Sequence, residues 1–212
     1  MAKYKNTCNA LILFADVIDS SKYSAVLGIK KYVENILKYQ KLFKDLATEY
    51  FRKGPLYSDL YCEIRVHGDE GAIFLPVQGI SDEDVVSRAI QFSFELKARM
   101  EFAFFENDPT ERVAQKFSIG IGIHYGQVAI ITGKSGEEKV ASGAGAYSKD
   151  ISRVEGYNIN YCKRIESCSR KGLFSKIFLS KEAANLVKNK TIVTEAHKVS
   201  LKGITPAIKQ LN

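Results

Sequence analysis

The 212-residue chain has no stretch of roughly 18 consecutive apolar residues, the length a membrane-crossing helix needs. Its longest apolar run, around Ala10–Ala15, is the size of a strand. The first residues, Met-Ala-Lys-Tyr-Lys-Asn, lack the apolar core of a secretory leader. A soluble protein of the cytoplasm, with no membrane partner, is expected. Cysteine is scarce at 4 (Cys8, Cys62, Cys162, Cys168), none makes a Cys-x-x-Cys pair, and the 3 histidines are scattered. Neither a zinc site nor a disulfide framework is expected, and the thiols read as reduced and partly buried. Internal repeats and low-complexity linkers are missing too. At roughly 100–200 residues per domain, one α+β domain over 1–212 is the expectation.

What is present is ordinary globular material, 45% hydrophobic and 26% charged. The net charge of +7 is unevenly placed. From Tyr161 to Asn212 there are 11 Lys/Arg against 3 Glu, a net +8, which leaves −1 for the preceding 160 residues. A cationic last quarter suits an anionic partner: nucleic acid, phosphate esters or a membrane surface. The region lacks the aromatic-rich platform on which bases stack, so nucleic acid is not the expected partner.

Asn9 to Val17 is a short, nearly continuous apolar run and predicts a central buried strand. Asp19-Ser20-Ser21 is helix-capping material. One long helix is expected from there to about Phe51, with Val26, Ile29, Val33, Ile36, Leu37, Tyr39 or Gln40, and Phe43 near the helical period and Lys53-Gly54-Pro55 as its stop. Cys62–His67 and Gly71–Val77 predict a hairpin around Gly68-Asp69-Glu70. Ser81-Asp82-Glu83-Asp84 caps a second helix to about Phe105. Phe117–Ile123 and Val128–Thr132 predict two further strands. Gly133–Asp150 reads as an exposed loop, Tyr157–Ser169 as a helix, Ile177–Leu179 as a strand and Lys181–Asn189 as a short helix before the C-terminal strands.

Several glycine motifs carry little. Gly133-Lys134-Ser135 would need a glycine where Val128 stands to make a phosphate loop. Gly120-Ile-Gly122 followed by Gly126 has the wrong spacing for a dinucleotide fingerprint and reads as close backbone packing. His124, at a strand end, reads as structural. Asp16 and Asp69 are the stronger signal. Each is an acid at the end of an apolar strand, where an unpaired carboxylate costs several kcal/mol. Two carboxylates suit Mg²⁺ or Mn²⁺ with a triphosphate completing the shell.

Five segments stand in order around these acids: Leu11-Ile-Leu-Phe-Ala-Asp16-Val, Arg65-Val-His-Gly-Asp69, Ile119-Gly-Ile-Gly-Ile-His124-Tyr-Gly126, Asn160-Tyr-Cys-Lys-Arg164-Ile-Glu166 and Leu201-Lys202-Gly203-Ile204. Together they resemble the class III nucleotidyl cyclase catalytic domain over residues of about 9–212. The resemblance implies a ferredoxin-like βαββαβ core with extra C-terminal strands, in a head-to-tail homodimer with two shared sites. It implies that Asp16 and Asp69, with the Val17 carbonyl, hold two Mg²⁺ or Mn²⁺ ions per site. Ser20 and Ser21 would present a helix start to the phosphates, and Lys202 would reach the terminal ones. The partner chain would supply Asn160 to orient the ribose and Arg164 to stabilise charge on the α-phosphate. Diguanylate cyclases share part of the Arg-x-x-Gly-Asp-Glu signature, but His67 and Gly71 depart from it.

The family reads its base four residues before the second metal acid and seven before the Asn of Asn-x-x-x-Arg. Those positions hold Arg65 and Arg153, with Asn158 as the alternative to the second. Arginine donates and cannot accept, so it does not suit adenine's amino group or guanine's N1–H edge. Donors suit the carbonyls of uracil, or O2 and N3 of cytosine. The chain thus resembles the bacterial pyrimidine cyclases of the Pycsar anti-phage system. That resemblance implies conversion of UTP or CTP to a 3′,5′-cyclic monophosphate that activates a separate effector, with uracil's two carbonyls favouring UTP. An adenylate cyclase and a non-catalytic nucleotide-binding domain are the alternatives.

Overall fold

The computed structural model describes residues 7–54, 56–58, 60–105, 118–132, 139–140, 151–172, 175–189, 193–195 and 208–211. Strand β1 (Thr7–Val17) is followed by α1 (Ser20–Leu27), α2 (Ile29–Phe51), the hairpin β2 (Glu63–His67) and β3 (Glu70–Pro76), and α3 (Asp82–Phe105). Then come β4 (Ile119–Thr132), β5 (Lys139–Val140), β6 (Ile151–Glu155), α4 (Tyr157–Ser169), β7 (Ile177–Ser180), α5 (Lys181–Asn185), β8 (Val193–Glu195) and β9 (Ile208–Leu211). The strands form one sheet in the order β2-β3-β1-β4-β7-β9-β8, with β5 and β6 also pairing β4. The first four pair antiparallel, and with α1–α2 and α3 they make the expected ferredoxin-like βαββαβ core. Among the described residues, no helix is long and apolar enough to cross a membrane.

β1 is central because both of its faces are apolar. Leu11, Leu13, Ala15 and Val17 enter the large core with Phe43, Leu46 and Phe51 of α2 and Val85, Phe92 and Leu96 of α3. Ala10, Ile12 and Phe14 point the other way, into a smaller cluster with Phe74, Val154 and Cys162. Period-2 alternation then puts Asp16 on that second side, beside α4.

Several sequence expectations change. The single helix to Phe51 is two, because Gly28 takes a left-handed φ of 76° that a continuing helix does not allow. Its buried stripe is Ile36, Tyr39, Phe43, Leu46 and Ala47, whereas Val26, Ile29, Val33 and Leu37 stay exposed. The strands expected at Phe117–Ile123 and Val128–Thr132 are one 14-residue strand, with Gly126 inside the ladder opposite Ala10. Most of Gly133–Asp150 lies outside the described residues, but Lys139–Val140 pairs with β4, and Ile151–Glu155 forms a strand that periodicity did not indicate. The helix expected over Lys181–Asn189 ends at Asn185.

α4 lies tightly on β4 because the strand has glycine beneath it. A Cβ at Gly122 would stand 2.8 Å from the Glu166 Cα, and one at Gly120 would stand 2.5 Å from Ser169 Oγ. The Cys162 thiol completes the seam, donating to the Ile12 carbonyl at 3.2 Å and lying 3.4 Å from that of Gly122.

Candidate active site

The end of β1 and the β2–β3 turn bring the two aspartates together. Asp16 is opposite Glu70 in the β1–β3 ladder, and the Val17 amide donates to the Asp69 carbonyl at 3.2 Å. Asp19 turns the chain in a left-handed conformation (φ 58°) and starts α1 at Ser20. The Ser20 hydroxyl donates to Asp69 Oδ2, and half-buried Ser20 and exposed Ser21 stand together at the helix start. The Asp19 carbonyl takes the Lys22 and Tyr23 amides, and the Ser20 and Ser21 amides come before that first bond, at an end that favours anions.

Asp16 is 7% exposed. Its Oδ2 pairs with the Arg170 guanidinium from the end of α4, while Oδ1 is buried without a partner among the described residues. Burial and the neighbouring Asp69 charge push its pKa up, against the pull of Lys163 and Arg170. A buried orphan oxygen beside a second carboxylate is an incomplete coordination shell, and hard divalent cations take oxygen ligands. The donor set thus fits Mg²⁺ or Mn²⁺. Two carboxylates do not make a full protein cage: no cluster of three or more His, Cys, Asp or Glu side chains among the described residues could hold an ion. Substrate oxygens would have to supply the rest.

Behind Asp16 lies a charged network that sequence reasoning missed. Lys163 pairs with Glu70 and stands 3.4 Å from Glu166, and Arg170 stands 3.8 Å from Glu166. Glu166 is fully buried, and burial lifts its pKa to about 7 despite both cations. Helical spacing was the available signal: Lys163, Glu166 and Arg170 are three and four residues apart, on one face.

Asn160 and Arg164 are exposed on α4. Of the buried residues of that helix, Cys162, Ile165, Glu166 and Ser169 centre on the sheet side and Tyr161 and Cys168 flank them, and at 100° per residue Asn160 and Arg164 fall opposite that centre. One chain therefore holds the aspartates and the Asn–Arg pair but does not bring them together.

Arg65 lies on β2, on the α4 side of the sheet. Its guanidinium is 4.7 Å from the Phe74 ring centroid, and its Nε donates to Glu63. Phe74 meets Phe14 edge-on at 5.7 Å. Arg153 is exposed on β6, opposite Ile131 and 3.3 Å from Glu155. Asn158 donates to the Gln127 carbonyl at 2.7 Å, a structural use of its amide. His124 is buried, meets Tyr161 edge-on at 4.9 Å and is kept neutral by burial. Lys202 lies outside the described residues.

This fold is shared with solved nucleotide cyclases. The adenylyl cyclase CyaB from P. aeruginosa matches with a TM-score of 0.72 at 15% identity, over 98% of this chain and 95% of that one. The guanylyl cyclase Cya2 matches with a TM-score of 0.67 at 21% identity, over 97% and 91%. The guanylate cyclase domain of RhGC from Catenaria anguillulae, in complex with GTP, matches with a TM-score of 0.63 at 16% identity, over 96% of each chain. No curated protein matches the sequence significantly. The family described as the adenylate and guanylate cyclase catalytic domain matches residues 2–211. The chain belongs to that family, the class III nucleotidyl cyclases.

Proposed function

We propose that this chain is a single-domain, cytoplasmic, metal-dependent pyrimidine nucleotide cyclase that acts as a homodimer. It converts UTP, or CTP, to the 3′,5′-cyclic monophosphate and pyrophosphate, as the signal for a separate effector in anti-phage defence. One observation carries the base preference. Arg65, at a base-reading position, presents a guanidinium over Phe74, and the nearby carboxylate of Glu63 is already engaged by Arg65, Tyr61 and the Val154 amide. What faces a base there is donor character, which suits pyrimidine carbonyls.

In this reading Asp16, Asp69 and the Val17 carbonyl of one protomer hold the divalent ions. When bound, they lower the pKa of the 3′-hydroxyl and neutralise phosphate charge. Ser20 and Ser21 hold the phosphates at the start of α1, with Lys202 on the terminal ones. From the partner, Asn160 fixes the ribose and Arg164 offsets charge at the α-phosphate. The 3′-oxygen bonds to the α-phosphorus, the bond from that phosphorus to the bridging oxygen breaks, pyrophosphate leaves and the hydroxyl proton goes to solvent. Positioning and charge stabilisation supply the acceleration.

The solved relatives are named adenylyl and guanylyl cyclases, which makes a purine cyclase the second reading. Incubating the purified protein with each of the four NTPs and Mn²⁺, and resolving cyclic from linear products by chromatography, separates the two. Cyclic UMP or cyclic CMP is expected. Exclusive production of cyclic AMP or cyclic GMP overturns the pyrimidine assignment.

A further inference from the structure

β2 and β6 are not neighbours in the sheet, since β3, β1 and β4 lie between them. They carry the two candidate base-reading arginines, and one side chain joins them. Glu63 is mostly covered, with 17% of its side chain exposed against 47% for Arg65. Its Oε1 receives the Arg65 Nε–H. Its Oε2 receives the Tyr61 hydroxyl at 3.1 Å and the Val154 backbone N–H, next to Arg153, at 3.3 Å. Burial and the Glu63 charge keep the Tyr61 phenol protonated, and so a donor.

We propose that Glu63 is a positioning residue for base selection: it clamps the Arg65 guanidinium on Phe74 and ties the β6 backbone to β2, so that Arg65 is presented in one fixed arrangement. An arginine tethered through Nε keeps its terminal N–H groups directed, whereas a free one samples many rotamers and discriminates poorly. Phe74 restricts the plane of the guanidinium, and Glu63 restricts its rotation within that plane. Both Glu63 carboxylate oxygens take part in the clamp. The inference rests on the cyclase reading above, and adds to it a residue that acts through Arg65.

The test compares wild type with Glu63→Gln, Arg65→Met and the double variant, in full-length protein with Mn²⁺ and each of the four NTPs. Thermal melting confirms that each is folded. Glu63→Gln keeps an acceptor for Val154 and Tyr61 but loses the charge that holds Arg65. It should raise KM for the preferred nucleotide on the order of tenfold with kcat changed by less than about threefold, and lower its kcat/KM advantage over the other nucleotides on the order of tenfold. Arg65→Met should do the same, and the double variant should lose no more than either single one. Tyr61→Phe, a milder release of the clamp, should shift selectivity in the same direction. Unchanged selectivity in Glu63→Gln, an equal fall in kcat for all four nucleotides, or additive losses in the double variant overturn the inference while the cyclase reading stands. A folded wild type that makes no cyclic nucleotide overturns both.

Discussion

Asp16 and Glu166 are the two buried acids behind the candidate site, and their burial fixes the sign of a pH effect. Glu166 titrates at about 7 in the folded chain, against 4.5 ordinarily, chiefly because it is buried. Between those values the folded state holds a proton that the unfolded state has released. Stability therefore falls as pH rises from about 4.5 to about 7, and is restored by protonation below that window. Asp16, raised by burial and by Asp69, pulls in the same direction. Glu166→Gln should flatten the pH dependence, gaining roughly 2–3 kcal/mol relative to wild type between pH 4.5 and 8 in urea unfolding. An unchanged slope contradicts the burial account. Asp16→Ala should cut turnover by roughly a thousandfold or more with the melting temperature kept or raised, because a charge buried at unfavourable pKa is removed while the candidate metal ligand is lost. Turnover at wild-type level refutes the metal assignment. Asp16 and Asp69 were legible in the sequence because acids terminating apolar strands are costly unless used. Glu63 and Arg170 were not singled out, since their roles depend on partners 91 and 154 residues away.

At the scale of elements, the sequence foresaw the four-strand core, α3 and α4, where periodicity and turn chemistry agree. It missed the break at Gly28, because apolar residues on both sides keep the helical period across it. It divided β4 at Gly126, because glycine marks turns as well as strands that lack room for a side chain; at Gly126 a Cβ would meet Asn158 Nδ2 at 2.8 Å. It passed over β6, whose polar residues pair only with the far end of β4. In the proposed mechanism the contact between α4 and β4 is the element-level requirement, since it sets where Asn160 and Arg164 project. Gly122→Ala should displace α4, costing roughly 1–3 kcal/mol of stability by overpacking against the Glu166 backbone. Turnover should fall further than stability accounts for, measured at a temperature where the variant stays folded. A variant with wild-type stability and turnover contradicts the close packing.

For the whole molecule, the arrangement within one chain is the decisive feature. Asp16 lies on the sheet side of α4, tied to it through Arg170, and Asn160 and Arg164 project from the opposite side. A substrate that needs both sets has to lie between two chains, and an isologous pair of chains creates two such sites. In the proposed homodimer either single loss should disable both sites, whereas a heterodimer of one Asp16→Ala chain and one Arg164→Ala chain should retain one site with every group intact. Co-expressing the two variants with different tags and purifying the mixed dimer through both tags tests this directly. The account predicts about half the wild-type turnover per dimer, from parents that are each inactive as homodimers. A mixed dimer as inactive as its parents, or full wild-type turnover from a monomer, would contradict it.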